Sequence, residues 1–160
     1  MIESWSDPRS RRWAVLPLRL LVGYGFISHG VAKWSRGPES FGRLLHQIGV
    51  PLPVATAWIV TLLEVFGGLA ILVGAFVALA SIPLIVSMLV AMFTVQWRYG
   101  FSSVKTIGLT SAGPVFGPPG YEINLVYVTA LLTLALAGAG ALSVDGWLAG
   151  WKRRARTSGR

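Results

Sequence analysis

The chain has 160 residues, a net charge of +8 and a pI near 10.9, and it is 54% hydrophobic but only 12% charged. A soluble domain gives about a quarter of its residues to charge, so this composition excludes an ordinary soluble enzyme. No cysteine and two histidines exclude disulfides, thiolate nucleophiles and a zinc site with the usual ligand spacing.

The basic N-terminus, residues 1–12, carries Arg9, Arg11 and Arg12 directly before the first apolar segment. "SRRWAVL" (Ser10 to Leu16) is close to a twin-arginine export signal, but no small-residue cleavage site follows and Arg19 interrupts the apolar run, so it reads as an anchor. A first span is predicted from Trp13 to Ala32. In the loop Ser35–Pro53, the apolar spacing of Phe41, Leu44, Leu45 and Ile48 predicts a short amphipathic helix closed by Gly49. Between Val54 and Trp97 the single charged residue is Glu64, and about 20 apolar residues cross a bilayer, so two spans are predicted, Val54–Val73 and Phe76–Trp97. The glycine- and proline-rich loop Arg98–Glu122 is expected to be ordered and folded back over the bundle, because loops of that length in small domains are functional or disordered and this one is aromatic. A fourth span is predicted from Tyr121 to Leu142, and a basic tail, 148–160, follows.

The predicted fold is therefore an all-α integral membrane protein, a four-transmembrane-helix bundle with a long ordered loop between helices 3 and 4, forming one domain over 13–147. Its partner is the lipid bilayer. Lys152, Arg153, Arg154, Arg156 and Arg160, with the N-terminal arginines, outnumber the basic residues of the loops (Lys33, Arg36, Arg43, Arg98 and Lys105), which places both termini in the cytoplasm. Basic clusters at span ends contact anionic lipid, and the aromatics lie inside the spans, so no nucleic-acid interface is expected.

Glu64 lies ten residues from Val54, about 15 Å along a helix and close to the midplane. An ionised acid there must face protein or water. Arg19, about 9 Å beyond Trp13, is the expected partner, since a guanidinium fork suits a carboxylate. Arg19, Phe26 and Lys33 recur at heptad spacing, with His29 one turn before Lys33 and Gly23, Gly25 and Gly30 among them. Glu122 opens the fourth span and Asn124 and Tyr127 follow. These residues are expected to line a polar cavity in the outer half of the bundle, with Glu64 as its floor and Phe101, Phe116 and Tyr121 in a lid. Each also has a structural reading: a register-fixing Glu64–Arg19 pair, Glu122 complementing a helix N-terminus, and Lys33 with Trp34 as an interfacial anchor.

With Arg19, "HGVAKW" (His29 to Trp34), "GVP" (Gly49 to Pro51), "LLEVFGGLAILVG" (Leu62 to Gly74), "GFSSVK" (Gly100 to Lys105), "FGPPGYEINLVY" (Phe116 to Tyr127) and "GAGALSVDGW" (Gly138 to Trp147), the chain resembles the DoxX family of small four-helix bacterial membrane proteins. Relatives in that family have been linked to thiosulfate:quinone oxidoreductase and to a mycobacterial complex for oxidative-stress defence. The resemblance implies a bacterial inner-membrane subunit, with Arg19, Lys33, Glu64, Glu122 and Asp145 at the family's recurrent charged positions. Many members carry a histidine soon after the third helix, and "TVQWRYGF" has none, so no haem or metal role carries over.

Two functions follow as expectations. The first is a redox-linked subunit binding a quinone, with Arg19, His29, Lys33, Glu64, Glu122, Asn124 and Tyr127 as binding residues and Glu64 and Glu122 as proton relay. No haem, flavin or metal signature is present, so electrons would come from a partner oxidoreductase. The second is a non-catalytic scaffold or small-solute carrier with a structural buried pair.

Overall fold

The computed structural model describes residues 7–158. In chain order these form α1 (Pro8–Ser35), α2 (Pro38–Gln47), α3 (Pro53–Val73), α4 (Val77–Ala91), a π-helical turn (Met92–Gln96) running into a 3-10 turn (Trp97–Tyr99), strands β1 (Thr106–Thr110) and β2 (Gly113–Phe116), α5 (Glu122–Ala137) and α6 (Val144–Ser158).

Local chemistry sets most of the boundaries. Prolines open α2 and α3 at their first turns, where a missing N–H costs nothing. The short α2 covers most of the amphipathic stretch expected from Phe41 to Ile48, with Ile48 as its C-cap, and lays Leu45 against the bundle. Gly74, at φ 70°, closes α3 by donating its N–H to Ile71, while Ala75 donates to Ala70. The chain then reverses at once into α4. Gly138, at φ 80°, ends α5.

Backbone contact, rather than side-chain interlock, joins α1 to α3. A Cβ on Gly68 would stand 2.9 Å from the Gly23 carbonyl oxygen and the Ile27 amide, and one on Gly23 would stand 2.7 Å from the Leu72 amide. Small residues that let backbones touch are how helices associate in lipid, where no hydrophobic force acts between them. α5 packs on α4 and reaches α1 through Tyr127, whose hydroxyl occupies the space a Cβ on Gly25 would need. The shared core is Val22, Phe26, Ile71, Val77, Leu84, Leu131 and Leu134.

The outward surface is apolar: Leu21, Tyr24, Ile59, Phe66, Leu79, Ile82 and Leu136 are all exposed. Exposed Trp13 and Trp34 stand about 32 Å apart along α1, which matches a hydrocarbon core of about 30 Å with an aromatic at each boundary. Three helical segments are long and apolar enough to cross: Arg12–Ser35, Pro53–Val73 and Val77–Tyr99.

α5 departs from the expected fourth span. It has 16 residues and so reaches about 24 Å, because residues 138–142, expected to be helical, turn away. Gly138, Gly140 and Leu142 all adopt positive φ, and the carbonyls of Ala139, Ala141 and Leu142 turn back to Arg19. The loop between the 3-10 turn and α5 contains strands. Its middle forms the β1–β2 hairpin with Gly113 in the turn region. The loop's ends close as a zipper in which Gly120 donates to Ser102, Tyr121 to Gly100 and Glu122 to Phe101. At the other end, α6 runs helically through the expected domain boundary at 147.

Candidate functional site

The acid of α3 is buried, and its partner is Lys33. Both Glu64 carboxylate oxygens accept hydrogen bonds from the Lys33 ammonium, with Glu64 2% exposed and the Lys33 side chain about a quarter exposed. Gly30 makes this pairing feasible, since a Cβ there would press on Val65 and on the Glu64 Cβ. The Lys33 ammonium also sits 5.2 Å from the Phe41 ring centre, so α2 shields the pair with an aromatic face that attracts cations.

The expected Glu64–Arg19 pair is not formed. Because Gly23 meets Leu72 and Gly30 meets Val65, α1 and α3 run antiparallel with Arg19 opposite the α3–α4 turn, about 18 Å from the level of Glu64 at 1.5 Å per residue. α3 starts about 10 Å beyond the end of α1, and α2 fills the step.

Arg19 serves the other end of the bundle. Its Nη1 donates to the Ala139 and Ala141 carbonyls and its Nη2 to that of Leu142 at 2.8 Å. The alternating positive-φ residues 138, 140 and 142 turn these oxygens to one side and so build a cation seat from backbone dipoles. Gly74 leaves room for the guanidinium, since a Cβ there would lie 2.8 Å from Nη1. Asp145 completes this end. Its carboxylate accepts the Phe76 amide at 2.8 Å and the Val77 amide at 3.2 Å, capping α4 where the chain has just reversed through Phe76 at φ 49°.

The remaining predicted residues separate into groups. His29, exposed, and Phe26, buried, both set their rings edge-on to Tyr127, at 6.3 and 5.2 Å between centres. Asn124 is 2% exposed and donates its side-chain amide to the Met88 carbonyl at 3.3 Å. That contact orients the amide and leaves its Oδ1 buried without a partner. Met88 lies one turn beyond Leu84, which packs on Gly67, and Glu64 lies about one turn beyond Gly67 in the same direction, so Asn124 and Glu64 share a layer. Glu122 instead organises the loop: its Oε2 accepts the Ser103 amide at 2.9 Å while the Ser103 hydroxyl accepts the Ile123 amide. Tyr121 of the expected lid stacks on Trp97, with Phe101 at its edge, while Phe116 is exposed on the hairpin.

A cavity of about 820 Å³ lies at the end of the bundle that holds Arg12 and Asp145, opposite the end where the sequence predicts one. Among the described residues no group of three or more His, Asp or Glu side chains is assembled to hold a metal. Sequence reasoning missed the buried Oε1 of Gln96, unpartnered at the end of the π-helical turn. It also gave Asp145 no role, although "GAGALSVDG" contains both the glycines and the acid that build the clasp.

The DoxX family model matches residues 14–97, more than half of the chain, and takes in most of α1 and all of α2 to α4 with the Lys33–Glu64 pair. The chain belongs to the DoxX family. This DoxX protein is 28% identical over 130 residues to an uncharacterised protein of Haemophilus influenzae, covering 80% of this chain and 85% of that one. It is also 28% identical over 141 residues to an uncharacterised membrane protein of Mycobacterium tuberculosis, covering 82% and 79%. A second Haemophilus influenzae protein is 24% identical over 136 residues, covering 82% and 81%. No solved structure matches the DoxX chain.

Proposed function

We propose that this DoxX protein is a redox-linked membrane subunit, one unit over 13–147, that binds a quinone or comparable lipophilic carrier beside the Lys33–Glu64 pair. The observation that carries the reading is the layer shared by Glu64 and Asn124, where a lysine–carboxylate pair lies level with a buried amide oxygen that has no donor. An unpartnered buried acceptor costs about 1–3 kcal/mol, and a quinol hydroxyl would satisfy it. The Lys33 ammonium would donate to a quinone carbonyl, and Glu64 would hold the proton that Lys33 exchanges. Reduction takes up two electrons and two protons, and the electrons come from a partner oxidoreductase. His29 and Tyr127 flank the same half of α1, while Glu122 and Arg19 position the loop and the opposite end rather than touch the carrier.

Purification in mild detergent tests this. The wild-type protein should carry quinone in roughly stoichiometric amount, and Asn124→Leu should lose it while still folding. Quinone at lipid background in both, with no visible chromophore, would leave the second reading, a scaffold or small-solute carrier. The closure of Lys33 and Glu64 on each other favours that alternative. We further propose a bacterial inner-membrane location with both termini cytoplasmic. A cysteine placed at Ser111, exposed between the hairpin strands, should then react with impermeant maleimide from outside; reaction only after permeabilisation would invert the topology.

A further inference from the structure

The cavity at the termini end is walled by Ala14, Val15, Ala137 and Ala139 and has Arg12, Ser143 and Asp145 at its polar side. Two of those polar groups are already committed. Ser143 donates to the Gly140 carbonyl and accepts from Gly146, and both Asp145 oxygens face the amides that open α4. The Arg12 guanidinium has no ion pair or hydrogen bond with any described residue. Its backbone is nonetheless fixed, because the Arg12 carbonyl accepts the Ala141 amide at 2.8 Å and Gly140 lies flat against it. The backbone of the floor is thus held, the wall is apolar, and the one unsatisfied charge among the described lining residues is a cation.

Depth decides what fits. Trp13 follows Arg12 directly, and Trp147 and Trp151 project from α6; all three are exposed at this end, where an aromatic belt meets the headgroups. The apolar wall is continuous with the lipid-facing side of α5, where Leu136 is 88% exposed. A soluble anion would leave the alanine and valine wall wet. An acyl chain would cover it while its phosphate meets the guanidinium.

We propose that this cavity is a binding site for one anionic bilayer phospholipid, its phosphate held by Arg12 and its acyl chains laid along Ala14, Val15 and Ala137. The site is independent of the Lys33–Glu64 layer. The test uses the full chain in nanodiscs of phosphatidylcholine with a minor fraction of phosphatidylglycerol, followed by native mass spectrometry of lipid retained after release. The wild type should keep one phosphatidylglycerol. Arg12→Gln, which spares the backbone bond to Ala141, and Val15→Trp, which fills the cavity but keeps the charge, should each lower retention at least fivefold, and Arg43→Gln on α2 should not. Equal losses in Arg12→Gln and Arg43→Gln would mean only diffuse attraction and overturn the proposal. Undiminished retention in Val15→Trp would place the lipid elsewhere and overturn it too. Displacement of the lipid from the wild type by millimolar glycerol phosphate would mark a soluble-anion site and equally refute it.

Discussion

Glu64→Gln is expected to destabilise the detergent-solubilised protein by about 3 kcal/mol, because it leaves the Lys33 ammonium facing a neutral amide in a site that Gly30 and Phe41 partly shield from solvent. Lys33→Met should cost a similar amount by stranding the carboxylate, which is the more deeply buried of the two. The double variant Lys33→Met with Glu64→Met should recover most of the loss, since two apolar side chains need no partner. Thermal unfolding followed by circular dichroism reads all three. Strict additivity in the double variant would show that the two charges do not support each other. The same variants separate structure from function. If the double variant folds well yet binds no carrier, the charges are there for chemistry.

Arg19→Met should cost as much or more, for a different reason. It removes the donor to three carbonyl oxygens at once, and each acceptor left buried costs about 1–3 kcal/mol. Leu142 holds a positive φ that is strained for its side chain, between turns set by Gly138 and Gly140, and the guanidinium holds this segment in place, so it should relax first. Amide exchange should therefore speed up in 138–146 before it does elsewhere. Arg19→Lys should rescue only in part, since one ammonium cannot span carbonyls that a planar fork reaches from two nitrogens. Combined with Glu64→Gln, the Arg19→Met loss should be additive, because the two residues lie at different levels of the bundle. Coupling above about 1 kcal/mol between them would contradict the antiparallel register of α1 and α3.

By itself, the sequence determined the broad placement of this protein. A chain with one charge between Val54 and Trp97 has to bury those residues in lipid, and Glu64 has to find protein there, because hydrocarbon offers it nothing. Periodicity located α2, and glycine spacing on α1 marked where backbones meet. These are local properties, readable from composition and period. What only the tertiary structure decided was which charge meets which. The choice between Lys33 and Arg19 turned on a stagger of about 10 Å between α1 and α3. That stagger arises from the fit of Gly23 and Gly30 against one stretch of α3, which no single helix encodes. The hairpin and the carbonyl seat for Arg19 escaped for the same reason. A four-residue strand is defined by the strand it pairs with. A loop carbonyl becomes a ligand only when a distant arginine is brought opposite it.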